Sequence, residues 1–173
     1  MANLHEDWSA FLKLLNAHSV RFIVVGAHAV AAAGRPRLTA DLDVWVEPTL
    51  SNSERVVRAL NAFGFGGLEP ERLTRRDTVV FLGRAPYRID VLTDIDGVTF
   101  STAWKGAKRG DLGGQRVRFL GLPQLLVNKR AAGRPKDLLD IALLEEANPR
   151  ARTRRKKASV RRRGPAKRRS RLR

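Results

Sequence analysis

The chain has no cysteine. That excludes disulfides, thiolate metal sites and thiol nucleophiles, and it fits a reducing compartment. No apolar run approaches membrane-spanning length, and the acidic start Glu6-Asp7 is unlike a secretory leader, so a cytoplasmic protein with no membrane partner is the expectation. The last 24 residues, Arg150–Arg173, contain 14 Lys or Arg but no acid and no aromatic. With Val160 and Leu172 as the only sizeable aliphatics, this segment has too little apolar surface to fold alone, and without aromatics it offers no base stacking. The net charge of +17 is therefore mostly a property of the tail. Residues 1–149 carry 20 basic and 17 acidic side chains. Two regions are expected: a body, 1–149, and a disordered polybasic tail, 150–173. A polycation of this kind holds nucleic acid by counterion release without reading sequence, which makes RNA a candidate partner; the alternative is a solvated charge run with no dedicated partner.

What is present is concentrated near the start of the body. Phe22-Ile23-Val24-Val25 reads as a buried strand, Gly26 as a turn, and Ala27–Ala33 as a helix. After the loop Gly34–Ala40 comes Asp41-Leu42-Asp43-Val44-Trp45-Val46, a strand whose two carboxylates point to one side because side chains alternate. Two like charges a few ångströms apart need a compensating cation. Mg²⁺ fits, since it takes oxygen ligands and leaves positions for phosphates. A helix N-terminus beside the pair offers free N–H groups to those phosphates, from Gly26, Ala27 and His28.

The rest of the body reads as alternating elements. Glu6–His18 is expected as a helix, and Ser51 with Glu54 as a capping box opening a helix that runs to about Phe63. Thr78–Leu82 and Tyr87–Leu92 are expected as a hairpin, the second strand carrying Asp90 between Ile89 and Val91. Asp94–Gly114 reads as irregular with a short helix near Phe100–Gly106, and Asp94 and Asp96 as turn acids before Gly97. Gln115–Leu120 reads as a strand, followed by helices Leu122–Ala132 and Pro135–Ala147. Asp90 is either a third metal ligand, able to accept a proton from an attacking hydroxyl, or an edge-strand acid paired with Arg88 or Arg116. Asp140 reads as an acid favoured by its helix dipole, and His28 as an ordinary helix-surface histidine with phosphate contact as the second reading. Arg35 and Arg37 are weak phosphate candidates.

The motifs Val25-Gly26-Ala27, Asp41-Leu42-Asp43-Val44, Ile89-Asp90-Val91, Leu126–Arg130 and Arg134–Asp140 together resemble the nucleotidyltransferase superfamily related to DNA polymerase beta. The nearest likeness is to its minimal bacterial branch, which includes abortive-infection toxin-type members. It spans about Glu6–Glu146. The resemblance implies an α/β (α+β) nucleotidyltransferase fold: a short mixed sheet flanked by helices, with a C-terminal helix pair. It implies transfer of a nucleoside monophosphate from an NTP such as ATP to a hydroxyl of RNA (tRNA included), a protein or a small molecule, releasing pyrophosphate. It further implies two Mg²⁺ ions, for which Mn²⁺ can substitute, on Asp41, Asp43 and Asp90. Lys129 and Asp137 would lie beside the active site, with Lys129 neutralising the triphosphate or, alternatively, capping its helix. A toxin–antitoxin or phage-defence setting, with a cognate toxin or antitoxin as partner, is part of the same expectation. One departure is Ala27, where the superfamily usually has Gly or Ser. It removes a phosphate-binding hydroxyl and supports an alternative, a non-catalytic or weakly active antitoxin-like or nucleic-acid-binding protein.

Overall fold

The computed structural model describes residues 5–36 and 38–149. Arg37 and the polybasic segment from 150 onward lie outside them, so the expectations for both stay at the level of sequence. The chain runs α1 (Glu6–Ala17), β1 (Phe22–Val24), α2 (Gly26–Ala32), β2 (Asp41–Val46) and α3 (Leu50–Ala62). A 3-10 turn at Pro70–Thr74 leads to β3 (Val79–Leu82), β4 (Arg88–Leu92) and α4 (Phe100–Gly106). Then come β5 (Lys108–Leu112), β6 (Gln115–Phe119), α5 (Leu122–Ala132) and α6 (Pro135–Ala147). No helix among the described residues is long and apolar enough to cross a membrane.

The six strands form one mixed sheet in the order β3-β4-β2-β1-β6-β5. β2 lies parallel to β4 and β1 parallel to β6, while the other neighbours are antiparallel. Alternation then sorts the side chains. Val24, Leu42, Val44, Val46, Ile89 and Val91 pack with Phe11, Leu12, Leu15, Val56 and Leu60 of α1 and α3. Ile23 and Trp45 face the other way, into a second core with Ala29, Val30, Leu125, Leu126, Ile141 and Leu144. The sheet is thus covered on both faces. β1 is apolar and buried at every position, as a strand covered on both sides must be, whereas β6 alternates buried Val117 and Phe119 with Arg116 and Arg118.

Two expectations are corrected here. α3 starts at Leu50 with Thr49 as its cap residue and no side-chain capping bond, so Ser51 lies inside the first turn and there is no capping box. The entry is fixed instead by Asn52, which accepts from Arg21 N–H at 2.8 Å and donates to the carbonyls of Arg21 (3.1 Å) and Glu47 (3.0 Å). Secondly, Lys108–Leu112 is a strand rather than irregular chain. It is exposed along nearly its whole length, so it has no apolar alternation to announce it. Backbone pairing to β6 across the Gly113-Gly114 turn makes it, with both glycines at positive φ (59° and 76°), the backbone that two-residue hairpin turns demand.

The C-terminal helix pair matches its sequence signals. α5 ends on Gly133 in the left-handed conformation (φ 62°), and prolines stand in the first turns of both α5 and α6.

Candidate metal centre

Parallel pairing of β2 with β4 sets Asp43 opposite Asp90 and Asp41 opposite Arg88. Because positions two apart on a strand share a side, Asp41, Asp43, Arg88 and Asp90 converge. One carboxylate oxygen from each of Asp41, Asp43 and Asp90 lies within 4.8 Å of the others, a spacing suited to a shared cation. The Asp90 carboxylate therefore lies beside the pair. Asp90 is not on an edge strand, since β4 lies between β3 and β2, and its side chain is almost fully buried.

Three like charges in so small a volume have a visible cost. Burial, and then the neighbouring Asp41 and Asp90, push the Asp43 carboxyl up to about 6. Arg88 supplies the nearest compensation. Its Nε and Nη2 donate to the two oxygens of Asp90 at 2.6 and 2.8 Å, its Nη2 lies 3.8 Å from Asp41, and its guanidinium lies over the Phe81 ring at 4.9 Å. The Asp90 hydrogen bonds, ahead of the charge of Asp90 itself, hold the Arg88 pKa above its ordinary value. Thr39 Oγ1 donates to Asp41 at 2.6 Å and fixes that carboxylate's rotamer.

Gly26 closes the centre from the other side. Its φ of +58° is left-handed, and a Cβ built there would overlap Asp43 Oδ2. Both backbone and space therefore demand glycine. Gly26→Ala is expected to destabilise the fold by about 2 kcal/mol or more and to displace Asp43. Thermal melts and Mn²⁺ titration followed by electron paramagnetic resonance of the same variant check both effects.

These residues line one cleft of about 630 Å³, within the range of small-molecule sites. Gly26, Ala27, Asp41, Asp43, Arg88 and Asp90 form one wall, and Asn128, Lys129, Arg134, Lys136 and Asp137 another. Lys129 does not cap its helix. It is buried, its Nζ 2.9 Å from Asp137 Oδ1 and 2.7 Å from Asp140 Oδ2, so one ammonium joins α5 to α6. Asp140 is thus held by the buried ammonium of Lys129, a partner that the helix-dipole reading did not include.

Three expectations fare differently. The His28 ring is turned away from the cleft, packed edge-on to Trp8 at 5.4 Å, and burial lowers its pKa. The period of α2 sends residue 28 away from Gly26 and Ala27, so a phosphate role for its ring is not supported. Arg35 is a tether, donating to the Leu143 carbonyl (3.1 Å) and to Glu146 (2.7 Å). Asp94 does line the cleft but is paired with Arg76 at 3.0 Å.

Lys136 and Arg134, which sequence reasoning assigned no role, line the cleft, and Lys136 lies close enough to lower the pKa of Asp43. Their signal was their place at the start of α6, Arg134 as its cap residue and Lys136 in its first turn, beside Asp137.

A search of curated proteins finds no match. Among solved structures, one described as "a putative nucleotidyltransferase (TM1012) from Thermotoga maritima" is similar at 14% identity and a TM-score of 0.47, covering 88% of this chain and 91% of that one. The model of a family described as nucleotidyl transferase of unknown function (DUF2204) matches residues 4–166, nearly the whole chain. The chain belongs to this nucleotidyl transferase family.

Proposed function

We propose that the protein is a divalent-cation-dependent nucleotidyltransferase that moves a nucleoside monophosphate from a nucleoside triphosphate to an acceptor hydroxyl. The observation that carries the reading is the convergence of Asp41, Asp43 and Asp90 beside the Gly26 turn, at one wall of a cleft whose other wall presents Lys136 and Arg134. Three carboxylates are a hard oxygen donor set, and they suit Mg²⁺ or Mn²⁺. When bound, such ions supply charge that stabilises the transferring phosphoryl group and lower the pKa of the attacking hydroxyl.

The chain's own residues do the rest. Gly26 and Ala27 open α2, where the first N–H groups have no intrahelical acceptor and can take phosphate oxygens. Lys136 and Arg134 neutralise the triphosphate from the opposite wall. Lys129 and Asp137 hold α5 and α6 together so that those two cations stay at the cleft. In the reaction the acceptor oxygen bonds to the α-phosphorus. The bond from that phosphorus to the bridging oxygen of the β-phosphate breaks, and pyrophosphate leaves. The acceptor proton passes to Asp90 or to water.

Arg88 grips both oxygens of Asp90, so ligation by Asp90 requires the guanidinium to give way. Arg88→Gln is therefore expected to bind Mn²⁺ roughly fivefold more tightly than wild type. Mn²⁺ titration followed by electron paramagnetic resonance measures this directly, and equal or weaker binding would remove Arg88 as a competitor.

The function itself is tested by incubating purified protein with each NTP labelled on the α-phosphate, Mg²⁺ or Mn²⁺, and separate pools of RNA, cellular protein and small-molecule acceptors. Label in one pool, lost in Asp41→Asn/Asp43→Asn, is the expected result. No label in any pool, or label that persists in the double variant, would sink the reading.

A further inference from the structure

A second cleft, of about 640 Å³, opens at the other edge of the sheet. It is lined by Trp104 of α4, by Arg109 and Asp111 of β5, and by Arg116 and Arg118 of β6. It is separate from the acid cluster, with which it shares no lining residue. Arg21 precedes β1, whereas Gly26 follows it, and an extended chain of that length spans roughly 15 Å.

The charge arrangement is unusual. Arg109 and Arg118 are register partners, directly opposite each other on paired strands. Like charges in that position destabilise a sheet. Among the described residues neither has a carboxylate within salt-bridge distance, and the same holds for Arg116. The guanidiniums of Arg21 and Arg118 both lie over the Trp104 ring, at 4.7 and 4.2 Å. Burial, then the positive charges of Arg109 and Arg21, lower the Arg118 pKa from its ordinary value. The one acid in the cleft, Asp111, accepts the Gly114 N–H at 3.0 Å and so serves the hairpin turn.

The protein therefore holds Arg109, Arg116 and Arg118 on one face without a salt bridge among the described residues, Arg118 sharing an indole with Arg21, which is itself paired with Glu47 at 3.1 Å, while Asp111 lies across the strands from Arg116. We propose that this face binds the phosphodiester backbone of a single-stranded nucleic acid. Arg109, Arg116 and Arg118 contact successive phosphates, and the indole–guanidinium stack of Trp104, Arg21 and Arg118 receives an unstacked base. An acidic peptide would satisfy the charges but leave the planar stack unused. A strand supplies both phosphates and π-faces, the combination that single-strand-binding grooves use. The proposal does not depend on the transfer reaction, since none of these residues belongs to the acid cleft.

The test uses the full chain and a fluorescein-labelled oligouridylate of about 12 nucleotides, with anisotropy read from ~0.05 to ~0.2 M salt. Arg109→Gln/Arg118→Gln is expected to bind roughly tenfold more weakly at ~0.1 M salt. The slope of log K against log salt should fall by about 1.4, the value for two lost single-strand phosphate contacts. The 14 cationic residues after 149 are present in both proteins, so their contribution cancels in the difference. Arg109→Lys/Arg118→Lys keeps both charges and should keep the slope. The proposal is overturned by an unchanged slope in the glutamine variant, by an equal loss of slope in the lysine variant, or by competition from a polyglutamate of matched charge as effective as that from unlabelled oligouridylate.

Discussion

Asp43→Asn is expected to abolish nucleotide transfer while making the metal-free protein more stable. The two effects have one cause. Asp43 faces Asp41 and Asp90 with its carboxyl pushed up to about 6, so ionising it at neutral pH costs folding free energy. The sign follows from proton counts. Between the ordinary carboxylate value of 3.8 and about 6, the native state holds a proton that the unfolded state has released. Native stability therefore falls as pH rises across that window and levels off above it. Asparagine removes the charge and should return about 1–2 kcal/mol at pH 7.5, allowing for solvent screening of a half-buried group. The same change removes a cation ligand whose absence leaves several kcal/mol of transition-state charge unbalanced, a rate loss of roughly a thousandfold or more. Urea unfolding at pH 4.5 and pH 7.5, with and without Mn²⁺, separates the two. Wild type should lose stability between these pH values and regain it with metal. The variant should be flat in pH and indifferent to the ion.

Lys129→Met should be the most destabilising single change in the body. It leaves the carboxylates of Asp137 and Asp140 buried and adjacent with their shared ammonium gone. Removing one partner of a buried ion group costs about 3–5 kcal/mol, because the remaining charges stay desolvated. In a folded body of this size that corresponds to a melting point lower by roughly 10–15 °C. Lys129→Met/Asp137→Asn/Asp140→Leu removes all three charges together, and most of the stability should return. Scanning calorimetry of both variants checks this. A single variant that melts within ~3 °C of wild type would show that the triad is solvated rather than buried.

The parts of the site most legible in the sequence were those built by strict periodicity. Asp41, Asp43 and Asp90 sit in apolar strands where alternation alone fixes their direction, and the structure joins them in register. The ends of α5 and α6 were legible because Gly133 and the two prolines permit few backbone alternatives. β5 was not, because its side chains touch little and its identity rests on hydrogen bonds to a later strand. Arg88 was visible as a partner for Asp90, but its hold on both oxygens and its reach to Asp41 depend on the β2–β4 register. For His28 the second reading, a ring that touches phosphate, finds no support. The residue is adjacent in sequence to the glycine turn, yet one step along α2 carries its ring to Trp8. For Lys129 the neighbourhood was legible and the bonding was not: its ammonium is committed to Asp137 and Asp140.

The order of strands also has a kinetic consequence. β1 sits at the middle of the sheet, pairing with β2 just after it and with β6 only once Val24 meets Phe119. The two halves of the sheet cannot join until most of the body has been made, and loop closure over such separations is slow. The acid cluster itself needs only β1, β2 and β4, but the cleft around it is complete only when α5 and α6 bring Lys129, Arg134 and Lys136 to its other wall, and the finished site is then a late product of folding. A divalent ion added during refolding should leave the folding rate unchanged and act by slowing unfolding, lengthening the lifetime of a protein that has already formed.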